Sequence, residues 1–381
     1  MTLIFIYITI LLAIAYSIVI SIYCYWFLQL KDVPLNRLKP PATKFTIIIP
    51  ARNEELVIAN CLKTIQLQNY PIELFEVIVV NDHSTDKTEK VVLSIKASFP
   101  SIKLINLADH INGTINAYKK RAIEIAVAES KNEWIITTDA DCEVLPNWLV
   151  NFDQYIQDKQ PVLVAAPVMF SLTKSWLGIF QVIDLISLQG ITAAAVAAGY
   201  HSMCNGANLA YSKAAFYEVG QFKGIDHLAS GDDMLLMYKI KQQFPGRLGF
   251  LFSTEMIVTT APMPSWKAFI NQRIRWASKA DSYSEKSIFC VLALVYFFNA
   301  FLFFGLIAGI FINGFYPVIL YILLTKTIVE IFFMIPVALF FGRANILFFF
   351  PLMQPFHILY TVIAGWLGKF GSYQWKGREI K

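Results

Sequence analysis

The chain has 381 residues, of which 56% are hydrophobic, 15% aromatic and only 15% charged. A soluble domain is about 45–50% apolar and about 25% charged, so this composition indicates a membrane protein and excludes a disordered or collagen-like chain. The balance of 32 Lys and Arg against 27 Asp and Glu, a net +5, is too mild to argue for nucleic acid and suits a protein at an anionic membrane surface.

Leu3 to Leu30 contains no charged residue and is long enough to span a bilayer with some tilt. A signal peptide would want a basic start and a small-residue cleavage site. MTLIFIYITI has no basic residue, so residues 1–30 read as an uncleaved transmembrane anchor. Lys31, Arg37, Lys39 and Lys44 follow the run and none precedes it, which by the positive-inside rule places the next segment in the cytosol. Cys24, Cys61, Cys142, Cys204 and Cys290 show no CxxC spacing, which suits a reducing compartment and shows no disulfide framework or zinc site.

Over 44–260 the texture changes to short apolar runs alternating with helical patterns. FTIIIPA (45–51), FEVIVVND (75–82) and WIITTDAD (134–141) read as buried parallel strands ending in polar residues. Helices are expected over Glu54–Gln68, Asp86–Lys96 and Ala117–Glu129. This order predicts an α/β sheet whose ligands sit beyond its carboxyl edge.

Residues 262–285 contain Gln272-Arg273-Ile274-Arg275-Trp276. On a helix, Trp266, Phe269, Ile270, Ile274 and Ala277 share one face, and Gln272, Arg275 and Trp276 share another. The expectation is an amphipathic helix lying in the membrane interface. Over 287–368 the charge-free run Ser287–Thr325 is too long for one span, and Asn313-Gly314 and Pro317 punctuate it. Ala344–Gly368, interrupted by Pro351 and Pro355, is a further candidate. Four spans with an outside N-terminus would leave the basic tail 369–381 outside, against the charge rule. A re-entrant or interfacial last segment reconciles the two. Lys326 and Glu330, one helical turn apart in an apolar segment, read as an ion pair facing the bundle interior.

Several residues suggest chemistry. Asp139-Ala140-Asp141 places two carboxylates at a strand end, where they can hold a hard divalent cation, Mg²⁺ or Mn²⁺, that bridges nucleotide phosphates. Asp82 lies likewise just past a strand, although Asp and Ser there also cap helices. Gly231-Asp232-Asp233 precedes MLLMYKI and reads either as a helix cap favoured by the dipole or as a general base. Arg275 suits a diphosphate through paired hydrogen bonds, and the Trp276 face suits stacking on a sugar ring. A plain interfacial helix with a Trp anchor reads equally well.

Taken in order, IIIPARNEE (47–55), VNDHSTDKT (80–88), DAD (139–141), NGANLAYSKAAFYEVGQF (205–222), GDDMLL (231–236) and QRIRW (272–276) resemble the membrane-bound family 2 glycosyltransferases, with WKGR (375–378) frequent there too. The resemblance implies a GT-A (Rossmann-like) cytosolic domain between N- and C-terminal transmembrane helices. It implies a hexosyltransferase of class EC 2.4 with a nucleotide-sugar donor, commonly UDP-linked. Pro50, Arg52, Asn53, Glu54 and Asp82 would line the nucleoside pocket, Lys119 would approach the diphosphate, and Asn208 and Asp232 would contact substrate. Asp139 would lean on the nucleotide and Asp141 on a divalent metal. Asp233 would be the base, Gln272 and Arg275 would stabilise the leaving diphosphate, and Trp276 would pack against the acceptor. The sequence departs from the pattern at His83 and Gln221, where glycines are usual, and at Tyr118, where a glycine usually precedes the lysine.

One base and no second nucleophile predict single displacement with inversion. The small membrane part leans towards a lipid acceptor, with a polysaccharide synthase as the alternative, since an oligomer or a partner subunit can complete a glycan path. A transporter would leave the strand-end carboxylates idle, and a nucleotidyltransferase would leave QRIRW and GDD without a role.

Overall fold

The computed structural model describes the whole chain except Met1, 33–38, 112, 114, 280–284, 313, 376–377 and Lys381. Arg37, Asn313, Lys376, Gly377 and Lys381, which entered the charge, turn and tail expectations, lie outside the described residues. In chain order the helices and strands are α1 (Thr2–Leu28), β1 (Phe45–Ala51), α2 (Ile58–Gln66), β2 (Phe75–Asn81), α3 (Thr88–Lys96), β3 (Ile102–Asn106), α4 (Tyr118–Glu129) and β4 (Trp134–Thr137). Next come β5 (Cys142–Glu143), α5 (Trp148–Lys159), β6 (Leu163–Ala165), β7 (Val168–Phe170), α6 (Trp176–Ala197), β8 (Leu209–Ser212), α7 (Lys213–Glu218) and α8 (Met234–Gln243). The rest are β9 (Leu248–Phe250), β10 (Val258–Thr260), α9 (Trp266–Ala277), α10 (Lys286–Phe311), α11 (Phe315–Phe340), α12 (Phe350–Phe370) and a hairpin of β11 (Tyr373–Trp375) with β12 (Arg378–Ile380).

The chain divides into two compact units. The first described here comprises Lys31–Ser171 and Ser202–Ala261. Its seven-stranded sheet has the order β3-β2-β1-β4-β8-β6-β9. The pairs β1–β2, β2–β3 and β1–β4 are parallel, and β8 runs antiparallel to both β4 and β6. The Ile and Val runs form strands because both sheet faces are covered: Ile47, Ile49, Val77 and Val79 on one face are fully buried with Ile58, Leu62 and Val92 of α2 and α3, and Ile48 and Ile78 on the other face are fully buried too. Each such side chain contributes about 1.5–3 kcal/mol of burial. The expected strand over 134–141 ends sooner, at Thr137, because pairing with β1 stops at Ile48. The carboxylates of Asp139 and Asp141 therefore stand in the turn beyond the strand.

The second unit comprises Met1–Leu30, Leu172–His201 and Pro262–Lys381. Among the described residues five helices are long and apolar enough to cross a membrane: Leu3–Leu28, Trp176–Ala197, Lys286–Phe311, Phe315–Phe340 and Ala344–Phe370. The second of these was not read from the sequence, which treats 44–260 as one run. It is largely buried, and Gly190 packs so closely on Phe333 and Val337 of α11 that a methyl group there would clash.

Several buried polar residues inside this unit pair with one another, as apolar surroundings favour. Lys326 Nζ meets Glu330 Oε1 at 2.7 Å and Gln354 Oε1 at 2.6 Å, and Tyr16 donates to Glu330. Lys326 and Glu330 therefore do face each other. In α9 the buried face carries Phe269, Arg273 and Ile274, whereas Trp266 is 39% exposed. Arg273 Nη2 lies 2.5 Å from Asp184 Oδ2 of α6, and Nη1 donates to Gln272 Oε1 at 2.9 Å. The same guanidinium lies over the Trp276 ring, 4.2 Å from its centroid. Gln181, one turn before Asp184, exchanges hydrogen bonds with both main-chain groups of Met263.

Candidate active site

At the carboxyl edge of β1 and β2 two turns interlock. Arg52 Nη1 donates to the carbonyls of Asp82 and His83 at 3.0 and 3.2 Å. The Asn53 amide donates to Ser84 Oγ, and Asn53 Oδ1 accepts from the Thr85 amide at 2.8 Å. The Glu54 amide donates to Thr88 Oγ1 and that of Glu55 to Asp86 Oδ2. The RNEE and NDHSTD segments thus brace each other, so Arg52 and Asn53 shape this edge through the loop they hold. Pro50 stands opposite Val80 within the paired strands. Asp82 is buried, and its Oδ1 lies 2.9 Å from Nδ1 of His83.

Two of the three departures at usual glycine positions have a backbone signature. His83 has φ 52° and Gln221 has φ 54°, the left-handed region where an L-residue is strained by about 1–2 kcal/mol. His83 also meets Tyr118 edge-on, with centroids 5.5 Å apart. Two of the atypical side chains therefore fill space together at this edge.

The centre of the site is the Lys119 ammonium. Nζ lies 2.9 Å from Asp139 Oδ1 and 3.2 Å from Asp232 Oδ2, joining the turn after β4 to the loop before α8. Burial alone would lower this lysine's pKa, but Asp139, Asp232 and Asp233 outweigh it and raise the group well above its ordinary range. Asp233 caps α8: Oδ1 accepts from the Met234 amide at 2.8 Å and Oδ2 from the Gly206 amide at 3.1 Å. Gly206 forms the floor, and a β-carbon there would stand 3.4 Å from Asp232 Oδ2. The cap reading of Asp233 is thus correct as geometry, and it fixes where the carboxylate points.

Asp139, Asp141 and Cys142 bring their ligand atoms within 4.8 Å of one another. The donor set fits a hard divalent cation through the two carboxylates. Burial, then Asp139 and Asp141, push the Cys142 thiol well up, and a soft sulfur suits a hard divalent ion less well than the two carboxylates do.

Asn208, expected to contact substrate, is corrected by its surroundings. It has no exposed surface. Its Oδ1 accepts from Trp148 Nε1 at 2.9 Å, and Nδ2 donates to the carbonyls of Pro167 and Met256 at 2.8 and 2.7 Å. Asn208 pins β8 from within the core. Gln272, Arg275 and Trp276 belong to α9 in the helical unit, half-buried. Residues to which the motifs assign no role are Gly206, Arg273 and Lys120, the last of these fully buried beside Lys119.

Residues 46–220 match the Glycosyl transferase family 2 model, and 134–349, over half of the chain, match Glycosyl transferase family group 2. The chain belongs to the family 2 glycosyltransferases. It is 27% identical over 259 residues to the probable glycosyltransferase YdaM of Bacillus subtilis, covering 66% of this chain and 56% of that protein. It is 28% identical over 106 residues to a beta-monoglucosyldiacylglycerol synthase of Nostoc, covering 28% of this chain and 22% of that one. The chain therefore spans little more than half the length of the first relative and far less of the second. In fold it is similar to the mannosyltransferase PcManGT of Pyrobaculum calidifontis, with a TM-score of 0.60 at 17% identity over 95% of this chain and 99% of that one. The fold is GT-A.

Proposed function

We propose that this family 2 glycosyltransferase moves a sugar from a nucleoside diphosphate sugar, commonly UDP-linked, to a membrane lipid with inversion at the anomeric carbon. The observation that carries the reading is the meeting of Lys119, Asp139, Asp232 and Asp233 at one sheet edge, beside a carboxylate pair suited to a cation.

A sugar or lipid hydroxyl is a poor nucleophile at neutral pH, so a placed base is needed. Asp233 takes the acceptor proton as the new oxygen–C1 bond forms and the bond from C1 to the phosphate oxygen breaks. Lys119 lies against the diphosphate, held in line by Asp139 and Asp232. Asp141, with Asp139, would hold a divalent cation, which would offset the charge of that diphosphate. Pro50, Arg52, Asn53, Glu54 and Asp82 shape the nucleoside side. Gln272 and Arg275 are assigned to the leaving diphosphate, and Trp276 to the acceptor, on the family resemblance.

The lipid acceptor is supported by the five apolar helices and by a relative whose name is that of a glucosyldiacylglycerol synthase. A polysaccharide acceptor is the alternative, since another relative is a poly(ribitol-phosphate) beta-glucosyltransferase. The cytosolic placement of the sheet rests on the basic flank after α1. Membranes holding the chain, given labelled nucleotide sugars, test the acceptor. Label in the organic phase supports a lipid product, and label only in high-mass aqueous material supports the polymer.

A further inference from the structure

A helix N-terminus disfavours cations, yet α4 opens on Tyr118-Lys119-Lys120. Lys119 is explained by its carboxylates. Lys120 turns the other way and is 1% exposed. Its Nζ donates to three main-chain carbonyls of one loop, those of Ile225 at 2.6 Å, Leu228 at 2.7 Å and Ser230 at 3.0 Å. That loop ends in Gly231-Asp232-Asp233. An ammonium has three hydrogens, and the loop supplies one acceptor for each of them. A buried lysine needs such partners to remain in the core.

The loop has little regular structure of its own to fix it. Gly220, Gln221, Gly224 and Gly231 all have positive φ, and it is a series of turns between α7 and α8. Lys239 of α8 grips its first part through the carbonyls of Gln221 and Lys223 at 2.6 and 2.9 Å. Lys120 grips its second part, next to the acidic pair. Because Lys119 and Lys120 are adjacent in one helical turn, the element that meets Asp232 by its side chain also sets the main chain carrying Asp232 and Asp233.

We propose that Lys120 is a positioning residue for the reaction, holding the 225–230 loop so that Asp233 is presented in register with Lys119 and the turn after β4. This rests on the reading of Asp233 as the base. Lys120 acts through the carbonyls of Ile225, Leu228 and Ser230. Its removal leaves donor binding in place and misplaces the carboxylate, and a small misplacement of a reacting group lowers turnover steeply.

The test uses the full chain in detergent, with Lys120→Met and Lys120→Arg beside Asp233→Asn. Hydrogen exchange needs no ligand. In Lys120→Met, amides from Ile225 to Met237 exchange faster while those of β1 and β2 keep their protection. Turnover is followed as nucleoside diphosphate released, with whichever of UDP-glucose, UDP-N-acetylglucosamine and GDP-mannose the wild type uses. Lys120→Met loses about thirtyfold in kcat with donor KM within about twofold, and Lys120→Arg, which keeps charge and N–H donors, falls between. Wild-type kcat with unchanged loop exchange in Lys120→Met overturns the proposal. So does loosening spread evenly over the sheet with loss of donor binding, which would make Lys120 a core residue only. Full turnover in Asp233→Asn overturns the base assignment instead, and loop exchange still decides whether Lys120 holds the loop.

Discussion

Lys119 Nζ stands 3.2 Å from Asp232 Oδ2 while also 2.9 Å from Asp139 Oδ1, so one cation ties together two acidic segments far apart in sequence. Lys119→Met leaves those carboxylates facing each other without a counter-charge and removes the group assigned to the diphosphate. We expect donor KM to rise about tenfold or more, the scale of one charge-assisted contact. Titration of nucleoside diphosphate into the purified protein checks this, and unchanged affinity would remove Lys119 from the donor site.

Asp233→Asn is informative because Asn is as good a helix cap as Asp. Asn keeps one oxygen for the Met234 amide, so α8 stays capped while the base and the bond from the Gly206 amide are lost. Turnover should fall by about two to four orders of magnitude, with nucleotide affinity and thermal midpoint near wild type.

Chelation should abolish transfer, and Mg²⁺ or Mn²⁺ should restore it. Asp141→Asn should raise the Mn²⁺ concentration needed for half-maximal activity, whereas Cys142→Ser should leave it in place, since a soft sulfur is a poor donor to a hard cation. A metal requirement shifted equally by both variants would put the sulfur in the coordination sphere.

The Arg273–Asp184 pair is buried on both sides. Removing one partner strands a charge, which costs about 3–5 kcal/mol. Arg273→Met and Asp184→Asn should each lower the thermal midpoint of the detergent-solubilised chain, and the double variant should lose less than the sum. Additive losses would mean the two charges do not depend on each other.

Asp86 gives a pH signature. Burial pushes its carboxyl up, but hydrogen bonds from Thr88 and from the Glu55 amide outweigh this and hold it below its ordinary range. A depressed carboxyl contributes stability that is present above its unfolded value of about 3.9 and lost as pH falls through the folded one. Asp86→Asn should therefore be less stable than wild type at neutral pH, and the gap should close below about pH 4. Urea midpoints across that range measure it.

The sheet and its acidic edge were legible because Ile and Val runs ending in Asp are local signals. β1 matches the expected 45–51, and α4 begins one residue after the expected Ala117. What escaped notice depends on partners distant in sequence. The apolar run of α6 is broken by Gln181, Asp184 and Gln189, whose partners, where identified, are Met263, Arg273 and Tyr360. No window around 176–197 contains them. Lys120 reads as one more surface lysine until the carbonyls of Ile225, Leu228 and Ser230 fold onto it. Asn208 sits within a recognised motif, yet only the packing of Trp148 and Met256 distinguishes a core amide from a ligand contact.

Nucleoside diphosphate release is the most direct measurement for the account as a whole. The full chain in lipid vesicles, supplied with a divalent cation and a panel of labelled UDP- and GDP-sugars, should release diphosphate from one of them and place the sugar on vesicle lipid. Asp233→Asn should do neither. Release of pyrophosphate from nucleoside triphosphates, or no release from any nucleotide sugar, would contradict a sugar transfer at this edge.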